Sequence, residues 1–131
     1  MPQQIYIVAL KNRSDNYITK IGETEQLLAK RIVGFGFSGK WRRREKDVEI
    51  IETIETFLAP SLEKLVKKQL MKKWSDTRLM DKNLGRGYTE WYFMNPKTMQ
   101  GIVHAMKKKL YQDDLFINYL ANKTGEQKHA K

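Results

Sequence analysis

The sequence predicts an α+β fold, a small antiparallel sheet of three to four strands flanked by helices, with a C-terminal helical extension. Three observations carry that class. Two β-rich runs, residues 5–10 and 17–21, are joined by a short polar loop, the pattern of a hairpin. A third run, residues 47–57, alternates in part and is rich in β-branched residues. Two later segments, opening at Pro60 and Pro96, repeat apolar residues at helical spacing.

The first run is continuously apolar or aromatic, which suits a strand buried on both faces. Asn12, Ser14, Asp15 and Asn16 make the loop, and Tyr17 begins the second strand, which Gly22 is expected to end. Side chains alternate faces along a strand, so the pairing register decides whether Tyr6 and Lys20 meet. An even register, for example Lys11 opposite Tyr17, puts them diagonally on one face, whereas an odd register separates them. Thr24 is the expected cap of the helix that follows. At about 100° per residue, its Leu27, Leu28 and Ile32 share one face, with Arg31 inside the apolar arc. A buried arginine needs an anion, either a core carboxylate or a ligand.

Residues 34–44 form a loop with three glycines, aromatics at Phe35, Phe37 and Trp41, and a basic run of Lys40, Arg42, Arg43 and Arg44. Aromatics interleaved with cations suit backbone phosphates and unstacked bases. The alternative is that the rings tuck into the core and the arginines are solvated. Gly34, Gly39 and Lys40 have P-loop spacing, but Trp41 stands where the magnesium-binding Ser or Thr belongs, so a nucleotide loop is excluded. In the third run Glu49, Glu52 and Glu55 are expected at solvent or edge positions.

The helix opening at Pro60 and Ser61 places Leu62, Leu65, Val66, Leu70 and Trp74 on one face and Lys64, Lys68 and Lys72 on the other, a track suited to phosphates. Glu63 falls on the apolar side. Its simplest partner is Lys67, an i,i+4 pair of about 0.2–0.5 kcal/mol. A polar loop containing Arg78, Lys82 and Arg86 leads to an aromatic strand at residues 88–93, where Glu90 is a second acidic candidate. Glu90 could pair with Arg31 or Lys20. Asn95-Pro96 starts a helix to about Tyr111, and Asp113 or Asp114 is expected to cap a last one through Leu120. Residues 1–94 read as the main domain, 95–122 as the extension and 123–131 as a disordered tail.

The 131 residues carry a formal charge of +10, which attracts polyanions, nucleic acid first. No run approaches a membrane span and nothing resembles a signal peptide, so a soluble cytoplasmic protein is expected. Absence of cysteine excludes thiol chemistry, disulfides and cysteine zinc sites. His104 and His129 have no metal-ligand company in the sequence.

Gln4-Ile5-Tyr6, then Lys20-Ile21-Gly22, then Arg31 on the next helix, resemble in order and spacing the GIY-YIG nuclease family. Gln4 replaces the first motif glycine and Lys20 the second motif tyrosine, the lysine form being similar to a phage-type branch and some restriction enzymes. Thr89-Glu90-Trp91-Tyr92-Phe93 is similar to a strand of that branch. The resemblance covers roughly residues 4–94. It implies a metal-dependent DNA endonuclease that hydrolyses phosphodiester bonds, with Tyr6 as base or water-positioning group assisted by Lys20. Arg31 would clamp the scissile phosphate and Glu63 would hold a single Mg²⁺ or Mn²⁺, with Glu90 the alternative ligand. DNA is the expected partner, with RNA open. The two departures leave room for a non-catalytic basic nucleic-acid-binding module on the same fold, and the charge alone for an adaptor that meets an acidic protein.

Overall fold

Every residue from 5 to 10 is buried, as expected of a strand covered on both faces. In the computed structural model, which describes residues 3–11 and 16–129 and side chains as far as residue 112, this strand is β1 (Gln4–Lys11). It lies inside an antiparallel sheet of order β3-β1-β2-β4, with β2 spanning Tyr17–Thr24, β3 Glu49–Glu55 and β4 Trp91–Phe93. Three helices complete an α+β fold: α1 (Leu28–Val33), α2 (Ala59–Lys73) and α3 (Pro96–His129). Residues 12–15, most of the expected hairpin loop, lie outside the described residues.

The odd-numbered residues of β1 and β2 face a core of Ile5, Ile7 and Ile21, covered by Leu62, Val66 and Leu70 of α2 and Met99 and Val103 of α3. The even-numbered ones face a second core, in which Tyr6, Val8, Leu10 and Ile18 meet Leu28 and Ile32 of α1 and the aromatic loop that follows. β1 pairs with β2 in the even register: Lys11 opposite Tyr17, Val8 opposite Lys20, Tyr6 opposite Gly22. A shift between Ile7 and Val8 in the pairing with β3 leaves Ile51 without an opposite residue. That bulge explains why the third run alternates only in part.

Several boundaries differ from the sequence reading. β2 continues through Gly22 to Thr24, because the ladder with β1 extends to Gln4. Thr24 does not cap α1. Its hydroxyl accepts from the Gln26 amide in a local turn, the helix starts at Leu28, and Leu27 is 62% exposed. α2 opens at Ala59 after Leu58, without Ser61 or any other side-chain cap, while the Thr56 hydroxyl accepts from the Leu58 amide just ahead of it. Residues 88–90 are a 3-10 turn, so the last strand is only three residues long. α3 is continuous through Asp113 and Asp114, which have no helix breaker beside them, where two shorter helices and a tail are expected. Its Met99 and Val103 share a core with the sheet on the far side of residue 94. Among the described residues no helix is long and apolar enough to cross a membrane.

Candidate functional site

The short β4 shapes the site. It pairs only with Ile18, Thr19 and Lys20, so among the described residues β2 from Ile21 to Thr24 has no strand on that side. Side chains from both faces of the sheet converge at this open edge. Lys20 arrives from the aromatic face, fully buried, its Nζ 5.5 Å from the ring centroids of both Tyr6 and Phe35. Ring faces carry partial negative charge and help to hold an ammonium out of water. Its full counter-charge is the carboxylate of Glu90, whose Oε2 accepts from Lys20 Nζ.

Glu90 reaches that position because the preceding chain turns tightly. Gly85 and Gly87 have φ of 70° and 77°, open to glycine at no steric cost. A Cβ on Gly87 would stand 2.8 Å from Lys20 Nζ and 3.1 Å from Glu90 Oε2. The other oxygen of Glu90, Oε1, accepts at 2.6 Å from Lys67 of α2, which also donates at 2.7 Å to Glu63 Oε1. A chain Lys20–Glu90–Lys67–Glu63 thus runs around the sheet edge from one core to the other. Burial alone would raise the Glu90 pKa, but the charges and hydrogen bonds of Lys20 and Lys67 outweigh it and hold the carboxyl below its usual range. Lys67 is raised, because its bonds to Glu63 and Glu90 outweigh the opposing effect of burial. Glu23, beside them on β2, is raised by burial first and by the nearby charge of Glu63 second.

Two further groups lack partners. The Tyr6 hydroxyl is buried and makes no hydrogen bond within the described protein. Arg31 is half-buried on α1, its Nε enclosed and unpartnered, and no carboxylate among the described residues pairs with it. The expected alternative, a core salt bridge, is therefore not what the structure holds. Glu90 pairs with Lys20 rather than with Arg31.

The basic loop departs from expectation. Phe35, Phe37 and Trp41 are buried in the second core, where Phe35 and Phe37 pack against Trp91 at centroid distances of 6.3 and 6.1 Å. Trp41 is 6% exposed and its Nε1 donates to Asp81, so its ring is an anchor and not a stacking platform. Apolar area removed from water outweighs what an exposed ring would gain. Arg44 is also structural, donating to Asp47 at 2.7 Å and to the Lys11 carbonyl at 2.8 Å. Lys40 lies 3.4 Å from Asp81, whereas Arg42 and Arg43 are exposed. Lys64, Lys68 and Lys72 are exposed along α2, as its periodicity predicts. Lys67, the hinge of the chain around the sheet edge, enters the sequence reading only as a partner for Glu63; its second bond joins residues 23 apart and has no local signal. His104 binds Glu52 through Nε2 at 2.8 Å, which leaves Glu52 half-buried and not a free edge acid.

The family model of the T5orf172 domain matches residues 3–107, from β1 well into α3. The chain belongs to the T5orf172 domain family. This is a phage-associated domain related to GIY-YIG/HNH-like nuclease folds. No curated protein and no solved structure matches the chain. Membership in the T5orf172 family points to a nuclease or nucleic-acid-related role.

Proposed function

We propose that this T5orf172 domain is a GIY-YIG-like, metal-dependent endonuclease that hydrolyses phosphodiester bonds, with DNA as substrate. One observation carries the reading: Arg31 holds a half-buried guanidinium with an enclosed, unpartnered Nε and no carboxylate. Desolvating a cation without an internal counter-charge is costly, and a phosphate oxygen in a bidentate fork would meet it. Tyr6 supports the same reading, since its unpartnered hydroxyl lies on a face shared with an ammonium. The phenol would orient the attacking water or, as a phenolate balanced by the Lys20 ammonium, take the water's proton and return to the phenol as hydroxide attacks phosphorus. Glu90 fixes the position of Lys20.

A single hard divalent ion would draw on the Glu63 oxygen that Lys67 leaves unbonded, with the remaining positions left to water and phosphate oxygens. Glu63 suits this better than Glu90, because both Glu90 oxygens are taken by lysines and only one oxygen of Glu63 is. The buried, unpartnered Oε2 of Glu23 adds negative potential beside it. Mg²⁺ or Mn²⁺ held there would polarise the phosphoryl oxygen and stabilise the departing one. Arg42, Arg43, Lys64, Lys68 and Lys72 are exposed cations available to flanking backbone.

The test is supercoiled plasmid incubated with protein in Mg²⁺, Mn²⁺ or EDTA, beside Tyr6→Phe, Arg31→Met and Glu63→Ala. Metal-dependent nicking by the wild type, lost in all three variants, is the expected result. Salt-sensitive binding without nicking under any condition would instead make the chain a non-catalytic nucleic-acid-binding module. Activity that survives Glu63→Ala would transfer the metal to another acid.

A further inference from the structure

Next to Glu90, on the α2 side of the sheet, lies a cavity of about 190 Å³ bordered by Lys67, Met71, Arg78, Thr89, Glu90 and Tyr92. Among the described residues, Arg78 is its one cation without a counter-charge. The backbone at Arg78 is pinned by a bridge to Tyr92 and by the bond from the Leu79 amide to the Trp91 carbonyl. The side chain is pinned as well, for Nε donates to the Thr89 carbonyl at 2.6 Å. Neither Nη nitrogen has a hydrogen bond or ion pair among the described residues. Glu90 does not neutralise them, because its two oxygens are engaged by Lys20 and Lys67. Lys67 itself has three protons and commits two, to Glu63 and Glu90. The wall therefore presents a braced guanidinium edge and a spare ammonium proton. That is the donor pattern of a phosphate site.

We infer that Arg78 binds a second backbone phosphate, separate from the one assigned to Arg31. Glu90 borders the cavity and pairs with Lys20, which ties Arg78 to the same sheet edge as the proposed site. The inference rests on the nucleic-acid reading above. It adds a subsite that would fix the register of the strand rather than the chemistry.

Binding of a short DNA duplex in EDTA, measured against salt concentration, tests it. Each phosphate neutralised contributes about 0.9 to the slope of log K against log salt. Arg78→Gln keeps an amide able to donate to Thr89 but removes the charge, and is expected to lower the slope by about that amount and weaken binding about tenfold at low salt. Lys97→Gln, an exposed lysine at the start of α3, is expected to leave the slope unchanged. Arg31→Met combined with Arg78→Gln is expected to lower the slope by about twice the single effect, since two phosphates are lost. An Arg78→Gln slope equal to wild type overturns the subsite, and so does a double variant no worse than either single one. Wild-type protein with no salt-dependent binding removes the nucleic-acid reading and the subsite with it. Thermal melting checks that Arg78→Gln is folded; if it is not, Arg78→Lys takes its place, expected to keep the slope with weaker binding, and wild-type affinity there overturns the role of the fork.

Discussion

Tyr6 and Gly22 stand opposite each other across β1 and β2, and the phenol of Tyr6 occupies the space that a side chain on Gly22 would need. A Cβ there would lie 2.9 Å from Tyr6 Cε1 and closer still to Cζ and the hydroxyl. The glycine is required for room, not for a left-handed backbone. The ring cannot move aside easily, because Phe35 packs at 6.4 Å between centroids and Lys20 sits over it. Gly22→Ala is therefore expected to destabilise the fold by about 1–3 kcal/mol, the usual range for overpacking a core. Urea unfolding measures it, and an unchanged midpoint would show that the ring has another place to go.

Removing the Tyr6 hydroxyl has the opposite sign. It is buried without a partner in the described protein, and a group left in that state costs about 1–3 kcal/mol. Tyr6→Phe keeps the ring and its packing, so its stability should equal or exceed wild type by about 1 kcal/mol, while nicking falls. A clear loss of stability would mean that the hydroxyl is structural.

Arg31 follows the same logic at a charged group. Arg31→Met retains an apolar stem at this half-buried position of α1 and removes an uncompensated guanidinium. The melting temperature should hold or rise, and DNA affinity and cleavage should fall. A protein that loses stability by several degrees would place Arg31 in the framework instead.

The sequence made the hairpin itself legible, because the two β-rich runs are neighbours in the chain. Alternation reduced the meeting of Tyr6 with Lys20 to a choice between an even and an odd register; the structure has the even one. The ends of elements were less legible. Thr24 has the chemistry of a cap, but the ladder with β1 claims it for the strand. Trp41 has the chemistry of a stacking surface, yet Asp81, forty residues on, takes its N–H and the core takes its ring. Glu90 alternates like a strand residue, yet Gly85 and Gly87 turn the chain so that its carboxylate meets lysines from two distant elements. Each miss is a contact of long sequence separation overriding a local preference.

The Lys20–Glu90 pair yields the last prediction. Lys20 is fully buried, and Glu90 is its one carboxylate partner among the described residues. Glu90→Ala leaves that ammonium enclosed without a counter-charge and should cost about 3–5 kcal/mol at neutral pH. The pH dependence follows from the directions of the shifts. Glu90 has a folded pKa below its unfolded value, so its contribution is complete above about pH 5 and is lost as pH falls through the folded pKa. Lys67 is raised, so its contribution is complete below its unfolded pKa of about 10.4 and is lost as pH rises through the folded one. Wild-type stability should thus decline on the acid side below about pH 5, and Glu90→Gln should flatten that limb while lowering the plateau. Lys20→Met combined with Glu90→Gln removes both charges from the enclosed site. It should recover much of the plateau, since an apolar replacement of a buried pair is often neutral or better. Urea midpoints between pH 3 and 9 measure all four proteins. If the double variant were no more stable than Glu90→Gln, the loss would come from Glu90's bond to Lys67, and the pair with Lys20 would not be what holds the sheet edge.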